Sequence, residues 1–452
     1  MASFAITTNP LARPFAYPLL QIGFALAAAV VLGITVGEGR WFWLAAIALL
    51  LLVLRWPVET ALGSFALLVP FDSRSLADSG SGKTLVWLLG AFAACTLLAT
   101  ALVRRRFHRP PRAALWWTLF VGWCVLTAVW ALNPQHASLE IPTVAATLGL
   151  YLAAVSFRID EKEFKRVIGL TILGGCVAGF YASYEFFHNI SFSGSGRGSL
   201  IFGADETNPN AFALRLLLPL ALTLGTYFSV RSRLLRTVCL GIMATLLLAV
   251  LVTMSRTAVL SLLVMAAVFM VRKGVNLRIL VVCALSAVMI MVMPSLFFTR
   301  LSEATTTGGA GRVDIWYVGW ELFKHYGIFG VGLNNFTIAY ADYAGYAPQF
   351  IGSARDPHNF YLRTAVEFGI VGICLFGKAV HAQLLRRREQ QIKPRTLNTW
   401  IVACEAAGWS LMTAGLFGNF LFEKTFWLIW IMFAFALQLY GSRSSLNCEL
   451  RI

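Results

Sequence analysis

The chain has 452 residues, 58% of them hydrophobic and 13% charged, where a soluble globular domain carries about 25% charged residues. A mean hydropathy of +0.72 excludes a water-soluble multi-domain enzyme, a disordered chain and a secreted disulfide scaffold, and points to a polytopic membrane protein. The net charge of +16 would suggest nucleic acid in a soluble protein. Here the basic residues fall in short breaks between apolar runs, so the expected partners are membrane lipids and no nucleic acid.

A helix crossing a hydrocarbon core of about 30 Å needs about 20 apolar residues. Apolar runs predict spans near 16–36, 41–54, 58–70, 85–103, 113–131, 143–157, 167–187, 211–230, 235–254, 257–271, 279–298, 358–380, 399–418 and 425–441. The runs at 41–54 and 58–70, split by Arg55, Trp56 and Pro57, are short enough for a tilted or re-entrant hairpin, which brackets the count at twelve to fourteen. The first run lacks a signal-peptide cleavage pattern and is read as a retained span. Basic clusters at 104–112, 158–166, 231–236, 272–278 and 386–395 mark cytoplasmic loops, with both termini cytoplasmic. The eight cysteines lie singly without ligand spacing and are read as small core residues.

Two outward loops, 188–210 and 299–357, exceed a turn, dividing the chain into N-terminal helices (1–298), an external loop (299–357) and C-terminal helices with a tail (358–452). In GRVDIWYVGWELFKHY, Val313, Trp316, Trp320 and Phe323 share one face, as in an amphipathic helix at the membrane surface. Tyr340, Tyr343 and Tyr346, every third residue, suit an interfacial aromatic belt or a sugar-stacking surface.

Charges at the edge of a membrane are candidates for function. Arg256, at the external end of two apolar runs, reads as an anion ligand or a snorkelling arginine. Arg312 follows the Gly308–Gly311 stretch and opens the amphipathic helix, where backbone N–H groups and a guanidinium would together hold an anion. Arg215, one helical turn below the surface, is a weaker candidate of the same kind. In SARDPHNFYLRTAVEFGIVG, Asp356 is read as an N-cap and Pro357 as the first helical residue, putting His358 in the opening turn. There the helix terminus and nearby arginines would keep the imidazole neutral, able to accept a proton or simply to hydrogen-bond at the surface. Glu185, Glu367 and Glu405 are read as partners for arginines, Glu367 with Arg363. The external loops hold no metal-ligand cluster, and the chain has no Walker loop, nucleophile elbow or dinucleotide fingerprint. An arginine-rich outward site of this kind suits a substrate already activated by phosphate, such as a lipid-linked pyrophosphate.

SRTAVLSLL, GRVDIWYVGWELFKHYGIFGVGLNNF and HNFYLRTAVEFGIVG, in that order around a long external loop, resemble the O-antigen ligase and polymerase superfamily of bacterial envelope glycan enzymes over roughly residues 200 to 380. The resemblance implies an all-α transmembrane bundle of the C-type glycosyltransferase class with twelve spans, in the inner membrane and acting at the periplasmic face without metal or cofactor. It implies inverting transfer of a glycan from undecaprenyl pyrophosphate to an acceptor hydroxyl, for a ligase the core sugar of lipid A. Carried over by motif, Arg256 and Arg312 bind the pyrophosphate, with Arg215 as support, and His358 is the catalytic base. A polymerase or protein O-oligosaccharyltransferase would share the donor. A lipid-linked oligosaccharide flippase is the expectation from another class.

Overall fold

The computed structural model describes residues 51–72, 84–188, 197–202, 205–274, 311–349, 352–385 and 399–449. The expected spans at 16–36 and 279–298, and most of 41–54, lie outside these residues. The described chain is built of helices and their connections, with one antiparallel two-residue ladder, Ile201–Phe202 with Asp205–Glu206, and an isolated antiparallel bridge between Phe107 and Phe157. Its helices are α1 (Glu59–Phe71), α2 (Leu85–Arg104), α3 (Arg112–Leu126, continued to Trp130 as a 3-10 turn), α4 (Pro134–Val155) and α5 (Glu161–Phe187). After the ladder come α6 (Pro209–Arg215), α7 (Leu217–Ser229), α8 (Arg233–Val252) and α9 (Arg256–Lys273). The last are α10 (Arg312–Tyr326), α11 (Phe336–Tyr343), α12 (Phe360–Val380), α13 (Thr399–Ala414) and α14 (Lys424–Glu449).

Short polar side chains set the helix starts. Asn133 and Asn208 each accept two backbone N–H bonds ahead of a proline in the first helical position, at α4 and α6. Both α4 and α5 begin earlier than their apolar runs suggest. Asn133–Pro134 starts α4 at 134 despite Pro142 inside it, and an Asp160/Glu163 capping box starts α5 at 161 through a charged first turn. Ser255 caps α9 by accepting from the Ala258 N–H.

Among the described residues, seven helices are long and apolar enough to cross a membrane: α2 to α5, α6–α7 as Pro209–Ser229, α8, and α12 extended to Leu384. The chain is a membrane protein. A single apolar core joins them, with an aromatic centre in which Trp117 of α3 meets Phe376 of α12 and Phe426, Trp427 and Trp430 of α14, all at ring separations of 5.4–6.2 Å. Two of the three expected glutamate–arginine pairs are seen. Arg363 Nε lies 3.0 Å from Glu367 Oε1 and Arg272 binds Glu405, whereas the Glu185 carboxylate accepts from the backbone, at the Ile201 N–H.

The chain alternates between two ends. At one, Arg106 makes a bidentate pair with Glu163 and Arg166 pairs with Glu59, among the basic clusters of the loops that begin α3, α5 and α8. At the other lie the beginnings of α6, α9, α10 and α12 and the turn between α13 and α14.

The described part of the 299–357 loop has a small core of its own. Ile315, Val318 and Leu322 of α10 pack with Phe336, Ala339 and Tyr340 of α11 and with Val366 of α12. Tyr340 is therefore a buried core residue and no part of an aromatic belt, because α11 turns that face onto α10. The predicted single face of α10 is split as well. Val313 and Trp320 are exposed, whereas Trp316 is drawn inward by a hydrogen bond to the Pro357 carbonyl. The loop also enters α12, which breaks at Gly369 (φ +64°). There Val331 N–H donates to Val366 O, Gly332 N–H to Glu367 O, and Ile370 N–H to Gly327 O, all within 2.8–3.0 Å. Trp123 supplies a further donor to Phe368 O. The backbone groups freed by the break are thus satisfied from elsewhere, as burial demands.

Candidate active site

At the end opposite the basic loops, six parts of the chain line one cavity of about 980 Å³. They are the start of α6, the start of α9 through Thr257, Gly311–Ile315 at the head of α10, Gln349, residues 355–358, and the 417–423 turn. Arg312 and His358 both line it, and Arg256 directly precedes Thr257.

Local sequence explains each position. Gly311 adopts a left-handed backbone (φ +75°), which turns the chain into α10 and puts Arg312 at its first residue. Arg256 opens α9 directly after a tight turn in which Met254 is left-handed. Arg197 steadies that turn, donating from Nε to Thr253 O at 2.8 Å and from Nη2 to Asn210 at 2.7 Å.

The start of α12 differs from expectation. Its N-cap is Asn359, whose side chain accepts from the Tyr361 and Leu362 N–H groups, and Asp356 does not cap it. His358 precedes the cap with φ +46°, a conformation uncommon for a residue with a side chain. Trp316 donates from Nε1 to the Pro357 carbonyl at 3.1 Å and its ring meets Phe417 at 6.2 Å, so one side chain of α10 touches two other walls of the cavity. The left-handed residue frees the ring from the helix: Nδ1 of His358 lies 3.7 Å from Asp356 Oδ2, and Asn419 donates to Asp356 Oδ1 at 3.4 Å.

Electrostatics bind these residues into one site. Burial pushes the Arg312 guanidinium below its ordinary value, and the Arg256 charge pushes it further. Two guanidinium groups that repel one another at a concave surface are relieved by an anion between them. The His358 imidazole is also pushed down from its ordinary value. Burial is the largest cause, Asp356 opposes it, and Arg312 and Arg355 add to it. These causes favour the neutral ring, with the arginines acting as the sequence suggested and burial, rather than a helix terminus, leading.

Arg215 stands apart. Its Nη2 lies 3.3 Å from Glu423 and 4.0 Å from Asp72, whose backbone carbonyl it also binds, while Lys424 pairs with Asp72 at 2.8 Å. It reaches the cavity only through Glu423, which lines it. Among the lining residues not singled out in the sequence are Arg355, Asn419 and Glu423. Arg355, three positions before His358, was legible as a second cation of the same motif. Asn419 and Glu423 follow the α13 span and carry no local signal, because only the fold brings that turn to His358.

No curated protein and no solved structure matches the chain. The family model described as O-antigen ligase matches residues 241–377, the stretch that contains Arg256, Arg312 and His358, and this match supports the resemblance to the O-antigen ligase and polymerase superfamily.

Proposed function

We propose that the protein is an O-antigen ligase that transfers a completed glycan from undecaprenyl pyrophosphate to the core sugar of lipid A, at the periplasmic face of the inner membrane, within a bundle of twelve to fourteen spans. The observation that carries this reading is the sharing of one cavity by Arg312 and His358, beside the turn that bears Arg256, within the family segment. Arg256 and Arg312, joined by Arg355, hold the pyrophosphate and offset the charge that grows on it as it leaves. His358 takes the proton of the acceptor hydroxyl as its oxygen attacks the anomeric carbon from the opposite face, which inverts that centre. Arg215 acts from outside the cavity by holding Glu423 in place.

The basic end of the bundle is then cytoplasmic and the cavity periplasmic. Gathering of Arg256, Arg312 and Arg355 at the cavity end favours an enzyme over a flippase, since Arg363 inside α12 is committed to Glu367, and Arg272, in the last turn of α9 at the basic end, to Glu405. Purified His358→Ala, given undecaprenyl pyrophosphate-linked glycan and lipid A-core, should stay folded and lose transfer by about 10²–10⁴-fold. Transfer near the wild-type rate removes His358 as the base. In cells lacking the protein, accumulation of full-length glycan on the carrier supports the ligase, whereas single repeats indicate a polymerase.

A further inference from the structure

Two residues apart, Asp356 and His358 both face the cavity, although neighbours at that spacing in a strand or helix need not meet. What brings them together is the backbone between and after them. Pro357 fixes its own φ, its carbonyl is pinned by Trp316, and His358 is left-handed, so the chain folds back before Asn359 starts the helix. The carboxylate is held from its far side by Asn419, across from the imidazole. At 3.7 Å the Asp356–His358 pair is slightly longer than a hydrogen bond, the spacing of an orienting pair that tightens when substrate binds.

We propose that Asp356 is a positioning residue for His358: its carboxylate holds Nδ1–H and leaves Nε2 as the atom that takes the acceptor proton. The inference rests on His358 being the base. In the step itself, the acceptor O–H bond breaks toward Nε2 as the oxygen bonds the anomeric carbon. The bond from that carbon to the pyrophosphate oxygen breaks, its electron pair leaving with the pyrophosphate. The imidazolium so formed faces Arg312 from α10 and Arg355 from its own segment, both unfavourable to it. Asp356 and, from the 417–423 turn, Glu423 are the carboxylates on the same cavity. Of the two, Asp356 lies against the ring.

The test compares Asp356→Asn, Asn419→Ala and His358→Ala in the full-length protein. For Asp356→Asn, kcat should fall about 10–100-fold with KM for both substrates within about twofold of wild type. Because the Asp356 charge raises the affinity of His358 for its proton, removing it should move the acidic limb of the kcat/KM profile to lower pH. Asn419→Ala should lower kcat in the same direction by a smaller factor, and decides the matter if Asp356→Asn does not fold. An unchanged kcat and an unmoved acidic limb, with His358→Ala inactive, overturn the positioning role and leave the base assignment standing. An active His358→Ala overturns the base assignment itself.

Discussion

Arg312 owes its position to a glycine on one side and a helix on the other, and both were legible in the sequence. A glycine-rich stretch ahead of an amphipathic run announces a turn into a helix, and a cation at the first residue of that helix faces whatever the turn encloses. Its planar fork can grip two phosphate oxygens at once, which a lysine cannot do. Arg312→Lys should therefore keep the charge yet lower kcat/KM for the lipid-linked donor by about 10–100-fold, the worth of one charge-assisted hydrogen bond. Steady-state kinetics with varied donor reads this, and an unaffected donor dependence counts against a pyrophosphate contact. His358 shows where the sequence misleads. Asp356–Pro357 and Asn359 both offer a cap, and local preference favours the former. The choice is made by Trp316 and Asn419, which lie more than 40 residues away on one side and 60 on the other and hold the 356–358 stretch outside the helix.

At the scale of the element, α12 is the clearest case of a span whose apolar pattern conceals its form. EFGIVG reads as continuous helix, yet the helix opens at Gly369 so that Gly327, Val331 and Gly332 can bond to its backbone. Nothing local marks the break, because the groups that make it tolerable come from another part of the chain. A Cβ at Gly369 would lie 2.2 Å from the Ile328 carbonyl oxygen, on a backbone already left-handed. Gly369→Ala should destabilise the protein by roughly 2–4 kcal/mol, from strain and from the collision together. Gly377, in the same helix with nothing within 4 Å of its would-be Cβ, is the control: Gly377→Ala should be neutral or slightly stabilising. Thermal unfolding in detergent measures both, and equal effects at the two sites would show that the break is not what Gly369 serves.

For the whole molecule, the helical class, the order of the described spans and the gathering of the candidate site residues at one end follow from apolar runs and charge placement, because burial and membrane crossing act on every residue of a helix. The cavity does not follow, since its walls come from residues between 208 and 423 and meet only in the folded bundle. The sidedness can be measured directly. With the eight native cysteines replaced, a cysteine at Gln349 should react with a membrane-impermeant maleimide added to intact spheroplasts, and one at Arg158 should react only after lysis. The reverse pattern would place the cavity in the cytoplasm.

The cluster of Asp72, Arg215, Glu423 and Lys424 bears on how such a protein is made. Asp72 is 6% exposed and Arg215 10%, and both leave the ribosome long before the residues that complete their neutralisation. Asp72, just after α1, emerges first, Arg215 at the end of α6 follows it, and the start of α14 then adds one more acid and one more base, Glu423 and Lys424. A nascent chain halted before residue 423 would lack both the 417–423 wall of the cavity and two of the four charges of this cluster, so the cavity is completed only when α14 docks.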